Sequence, residues 1–199
     1  MKALSRFSPL LALAVFCAAP ASFAATWDID PAHTNIGFVA KHLVVAKVRG
    51  GFKNFKGTVH IDEKDLSKSK VEVEIDAASI DTGIAKRDDH LRSADFFDVK
   101  NHPKILFKSK VVKQNGKGEL EIIGDLTMRG VTKPVLLKVV GPSPEVKDPG
   151  GNPHIAFSAE GEVSRYDWGL KWNRALEGGG VTVSEQIQLV IDSELMNKR

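Results

Sequence analysis

The sequence is short of the residues that staple or metallate small exported folds. Its 199 residues contain a single cysteine, Cys17, which rules out an intrachain disulfide framework and argues against a Cys-based zinc site. It has little surplus charge. Lys and Arg number 28 against 25 acids, and the first 24 residues hold two of those cations, Lys2 and Arg6, and no acid. The remainder is balanced to within one charge, which argues against binding nucleic acid or an anionic membrane by charge alone. No His-Glu-x-x-His or Gly-x-Ser-x-Gly occurs, so zincin spacing and the nucleophile elbow are both missing. His33 and His42 are nine apart, an odd separation that puts them on opposite faces of a regular strand. From spacing alone, no metal site is expected.

The apolar run Leu10 to Ala19 is shorter than the roughly 20 residues a membrane span needs. It follows a positive segment and precedes Ser22-Phe23-Ala24, which places small residues three before and one before a cut. This pattern predicts a signal peptide over residues 1–24, cleaved after Ala24, and a single domain over residues 25–199. Cys17 as a lipid-anchored start is disfavoured by the bulky Phe16 before it.

Beyond the leader, period-2 alternation dominates. Lys70 to Ala77 sets Val71, Val73 and Ile75 against Glu72 and Glu74, the signature of a strand with one wet and one buried face. Similar patterns cover 104–111, with Ile105, Phe107 and Val111 opposite Lys108 and Lys110, then 119–128, 154–163 and 181–191. Further strands are expected near 34–42, 51–61 and 133–140. Asn115-Gly116 is the strongest hairpin signal, and the Gly/Pro-rich stretch 141–153 is a loop.

The stretch 79–103 breaks the alternation. Ala85 to Arg92 reads as a short helix, and Ser93 to Asp98 as a tight turn carrying Phe96 and Phe97. About eight antiparallel strands with one helical excursion predict an all-β closed barrel, because closure removes exposed edges. An interior of that size is filled by side chains or holds one small ligand; periodicity does not decide which.

Three groups invite chemistry. Arg87-Asp88-Asp89-His90 sets an acid beside an imidazole, as a general base requires, but no recognised nucleophile motif is coupled to it. The competing reading is a cap across one barrel end. The glycines at 178–180 precede a strand rather than a helix, so they are not a phosphate cradle. Trp27, Trp168 and Trp172 are either a stacking platform or plugs at barrel ends.

Several motifs together resemble a known family. Trp27-Asp28-Ile29-Asp30-Pro31-Ala32-His33-Thr34, Ser79-Ile80-Asp81-Thr82-Gly83, Arg87 to Asp98, His102 to Phe107, Gly124 to Val135 and Arg165-Tyr166-Asp167-Trp168-Gly169 are similar, in order, to the YceI family of exported polyisoprenoid-binding proteins. The resemblance implies an eight-stranded lipocalin-like barrel and a polyprenyl or quinone-like lipid as ligand. It also implies a periplasmic location, no catalytic residues, no metal and no cofactor beyond the bound lipid; many members form homodimers. Thr34 stands where Ser is commoner and keeps the hydroxyl. Trp168 stands where Phe is common, which bears on the head-group end of the ligand.

With Glu72, Glu74, Lys108 and Lys110 facing water, the opposite faces provide the candidate cavity lining: Val73, Ile75, Phe107, Leu126, Phe157 and Leu189, with Ala159 as a further probe position. Arg87, Asp88, His90, Phe96 and Phe97 are candidates for a gate over one end. Two alternatives remain on sequence grounds: an enzyme acting on such a lipid through Arg87–His90, and a structural or stress protein with a solid core.

Overall fold

A computed structural model describes residues 25–43, 45–177 and 179–197. The expected signal peptide, its cut after Ala24 and Cys17 lie outside the described residues, as does Gly178. Among the described residues, twelve strands run in chain order: β1 Ala25–Ile29, β2 Asn35–His42, β3 Ala46–Phe52, β4 Phe55–Ile61, β5 Lys70–Asp76, β6 Ile80–Asp81, β7 Lys104–Gly116, β8 Glu119–Met128, β9 Val131–Val140, β10 Val146–Lys147, β11 Pro153–Ser164 and β12 Val183–Met196. The α-helix α1 spans Ala85–Arg92.

Eight of these strands close a ring in the order β11-β9-β8-β7-β5-β4-β1-β12, and β12 pairs back onto β11 along its length, from His154↔Met196 to Ser164↔Gln186. All the pairings are antiparallel. The β2–β3 hairpin joins the same edge of β12 as β1 does, and prolongs the wall toward the α1 end.

Alternation builds this wall. Val73 faces Phe107 and Glu72 faces Lys108 across the β5–β7 pair, so apolar side chains meet inside while Glu72 and Lys108 pair outside at 2.7 Å. Outer Glu74 likewise reaches Lys104 and Lys56. Such exposed pairs fix register more than they stabilise, at about 0–1 kcal/mol each. On the inside, Gly124 leaves room for a ring. A Cβ there would sit 2.5 Å from Phe107 Cζ and 2.7 Å from the Lys108 carbonyl oxygen.

The structure departs from the sequence pattern in four places. The strand expected near 51–61 is two strands, broken at Lys53-Asn54. β2 forms where expected and lines the cavity with Ile36, Phe38 and Ala40, but it shares its edge of β12 with β1, an additional strand whose five residues are too few to show a period. The β7–β8 hairpin exists, but Gly116 pairs with Glu119 and the turn is Lys117-Gly118, with Gly118 at φ +77°. In β7 a register shift between Ser109 and Val111 reverses the phase. Val111, expected inside, is exposed, and Val112 is buried instead. A bulge inserts one residue and so flips every side chain after it.

The buried residues do not form one contiguous core. One cluster, around Ile75, Phe96, Ile105, Met128 and Trp168, fills the α1 end. Two smaller ones sit toward the other end, around Trp27, Ile61 and Leu195 and around Val112, Leu120 and Val139. A solid single domain usually shows one. Here the clusters surround a space.

Candidate functional site

That space is a cavity of about 280 Å³ along the barrel interior, just below the roughly 300–1,000 Å³ typical of ligand pockets. Its wall is almost wholly apolar; the polar side chains on it belong to Thr34, Ser69, Arg165 and Ser193. Val73, Phe107, Leu126, Phe157, Ala159 and Leu189 all point inward and line it, yet each is only half-buried. Inward side chains that keep accessible surface mean that the opposing atoms are missing. Ile75 also lines the cavity and is buried.

The α1 end is closed by an aromatic and arginine-bound cap. Phe96 and Phe97 both reach the cavity. Phe97 meets Phe52 edge-on at 5.7 Å, and Phe52 leans on Phe38 at 6.1 Å. Phe96 is 5% exposed and stacks against Trp172 at 5.3 Å and His90 at 5.0 Å. Polar anchors hold the cap from behind. Arg129 donates to the carbonyls of Phe96 at 2.8 Å and Ala94 at 2.9 Å. Arg92 donates to those of Ala78 and Ile80. Arg165 is buried and donates to the carbonyls of Ser184, Leu170 and Val183; burial draws its guanidinium below the ordinary arginine range.

Four of the candidate residues do not line the cavity: Arg87, Asp88, His90 and Trp168. Arg87 and the buried Asp88 both bind Thr82. Arg87 donates to its hydroxyl and carbonyl oxygens, and Asp88 accepts from its amide and hydroxyl. Together they fasten the start of α1, whose N-cap residue Ile84 offers no side-chain cap. His90 pairs with Asp95 at 2.9 Å and packs edge-on against Trp172. Trp168 is 1% exposed and donates from Nε1 to the Leu126 carbonyl; it is a plug behind the lining, not a platform. On α1 the residue that reaches the cavity is Leu91.

Sequence reading missed Phe38, Phe52, Leu170 and the arginines at 92, 129 and 165. The aromatics had a usable signal, since Phe38 and Phe52 stand on adjacent strands. Arg129 and Arg165 had none, because the groups they bind are backbone carbonyls; for Arg92 the sequence could show only its i,i+3 pair with Asp89, not its carbonyl partners. Among the described residues, no buried side-chain nitrogen or oxygen lacks a hydrogen-bond partner. The cavity can therefore cover an apolar chain, and no unpaired buried group is aimed into it to attack one.

Comparison with known proteins agrees with this geometry. The YceI-like domain matches residues 27–195. The chain is 39% identical to a UPF0312 protein of Serratia proteamaculans over 189 residues, 93% of each chain. It is also 39% identical to Protein YceI of Escherichia coli O157:H7 over 180 residues, 88% of this chain and 89% of that one. The crystal structure of the Campylobacter jejuni YceI protein superimposes with a TM-score of 0.69 at 29% identity, covering 80% of this chain and 90% of the other. A polyisoprenoid binding domain from Saccharophagus degradans shares the fold, with a TM-score of 0.63 at 15% identity over 88% of this chain and all of that domain. The motif order, the eight-stranded ring and these matches place the chain in the YceI family.

Proposed function

We propose that this protein is a periplasmic carrier that holds an isoprenoid-type lipid, a polyprenyl or quinone-like chain, in the barrel cavity, and that it is not an enzyme. One observation carries the reading: the barrel interior is hollow and lined almost entirely by hydrocarbon. A water-insoluble chain crossing an aqueous compartment needs its surface covered. Burying one five-carbon isoprene unit contributes about 3–4 kcal/mol gross, at roughly 0.8 kcal/mol per methylene, before the costs of ordering the chain. The S. degradans domain, described as polyisoprenoid binding, has the same fold and supports the choice of ligand class. The basic start, apolar run and Ser22-Phe23-Ala24 of the leader support export, with residues 25–199 as the mature domain.

The enzyme alternative loses its best residue, since His90 is committed to Asp95 and stands outside the cavity. The solid-core alternative is at odds with three separated clusters around a void. The experiment is mass spectrometry of an organic extract of the mature protein purified from its own periplasm. A stoichiometric isoprenoid is expected. No extractable lipid, or a lipid that is chemically turned over, would overturn the proposal.

A further inference from the structure

On the outer wall, opposite the cavity side of β12, the fold gathers five titratable groups that lie far apart in the sequence. Glu194 stands between the cavity-lining Ser193 and Leu195 and so points outward. His154 on β11 is its diagonal neighbour, because Ala156 pairs with Glu194 and His154 with Met196. The β1–β2 turn adds Asp30 and His33, docked by a hydrogen bond from the Asp30 amide to the Glu194 carbonyl at 2.9 Å. The loop after β10 adds Asp148.

Their donor atoms lie close together. His33 Nδ1 lies 2.7 Å from Asp30 Oδ2 and 3.9 Å from Glu194 Oε1, and His154 Nδ1 lies 2.7 Å from the same Glu194 oxygen. Ligand atoms of Asp30, His154 and Glu194 all fall within 4.8 Å of one another. A tetrahedral ion about 2.0–2.1 Å from each ligand holds its ligands about 3.3 Å apart; Asp30, His154 and Glu194 form the compact set, and His33, near Asp30 and Glu194 but outside that set, joins by rotating its exposed side chain.

The surroundings fit as well. Asp148 Oδ2 faces the other nitrogen of His154, Nε2, at 3.4 Å, the carboxylate–histidine arrangement that orients a metal-bound imidazole. Asp148 is itself held by the Asn152 side chain and amide, and Asp30 by the Ala32 amide. Among the described residues, neither lysine nor arginine pairs with Asp30, Asp148 or Glu194. Three carboxylates are thus compensated by two imidazoles alone.

We propose that Asp30, His33, His154 and Glu194 form a binding site for one divalent transition metal ion, with Asp148 as the positioning carboxylate behind His154. Two imidazoles with two carboxylates in a tetrahedral set favour Zn²⁺, while Mg²⁺ and Ca²⁺ prefer all-oxygen shells. The ion staples the β1–β2 turn to β11 and β12, on the far side of the wall from the cavity, and the β10–β11 loop is held to it only through Asp148 and His154. The proposal replaces the expectation of no metal drawn from spacing: His42 takes no part, and His154 and Glu194 are brought in only by folding. It does not depend on what the cavity holds.

The test uses tag-free mature protein, stripped with chelator and then dialysed, titrated with Zn²⁺ by calorimetry and with Co²⁺ by visible absorption. One Zn²⁺ per chain, a rise in thermal midpoint on adding it, and the intense d–d bands of tetrahedral Co²⁺ are expected. His33→Ala, at a side chain 65% exposed, should weaken binding at least tenfold without changing the midpoint of the metal-free protein. Glu194→Gln should weaken it further, and Asp148→Asn by about 10- to 100-fold. His42→Ala and His90→Ala should bind like the wild type. Substoichiometric binding, octahedral Co²⁺ spectra, or affinity unchanged in His33→Ala would overturn the site; His33→Ala decides the matter even if Glu194→Gln fails to fold.

Discussion

The wall of the barrel and its α1 cap are held together by opposite means. In the wall, side chains alternate and the work is apolar. Val73, Phe107 and Leu126 stand in successive strands with Gly124 opened for the Phe107 ring, and the charges outside contribute little. In the cap, three arginines reach backbone carbonyls from positions 92, 129 and 165, while Arg87 and Asp88 converge on Thr82. The wall is a repeating local rule, and a single bulge at Ser109–Val111 is enough to invert it. The cap is a set of unique long-range ties. A wall defect should therefore show as lost stability, and a cap defect also as altered passage of ligand.

Four substitutions and one titration probe that contrast. The largest effect is expected where the two regions meet. Trp168→Ala removes a side chain that is 1% exposed and tied to the Leu126 carbonyl, and should cost about 3–5 kcal/mol in denaturant unfolding. A loss under 1 kcal/mol would mean that the plug does not couple cap to wall. Gly124→Ala drives a methyl into Phe107 and the Lys108 carbonyl and should cost about 1–3 kcal/mol through overpacking. Full stability there would show that the wall is looser than its register implies.

Within the cap, Phe96 is buried and Phe97 is half-buried, so the pair should separate the two readouts. Phe96→Ala should lower the thermal midpoint. Phe97→Ala should lower it less and speed lipid exchange on folded protein. Unchanged exchange in both variants would remove the gate. The smallest effect concerns the loop after β10. The Asn152 side chain, then its amide, hold the Asp148 carboxyl down to about 2. With the folded value depressed below the unfolded one of about 3.9, this contribution is complete above the unfolded value and is lost as pH falls through about 2. The Asp148 carboxyl resonance should titrate near 2; a midpoint near 4 would mean that the loop is not formed as described.

How far the sequence was legible follows from the same contrast. Val73, Ile75, Phe107, Leu126, Phe157 and Leu189 could be placed inside because each sits on a strand long enough to show its period. β1 could not be found that way, with five residues, nor could Val112, whose phase a bulge had reversed. The helix Ala85–Arg92 was readable because it interrupts alternation. Its contacts were not: Arg87, Asp88 and His90 look like site chemistry in a row, but in three dimensions they bind Thr82, Asp95 and aromatic rings. The outer cluster of Asp30, His33, His154 and Glu194 was invisible for the plainest reason, since its members are up to 164 residues apart.

The most direct test of a hollow, ligand-holding barrel is Ala159→Phe, at a half-buried lining position on β11. Lipid bound per chain and thermal midpoint are measured on the same preparation, freshly isolated from its own periplasm beside the wild type. The wild type should carry a lipid, and the variant should show lost or shortened lipid with little change in midpoint, because the new ring occupies the space the ligand leaves. A wild type without lipid, and a variant destabilised by the roughly 1–3 kcal/mol of an overpacked core, would contradict it.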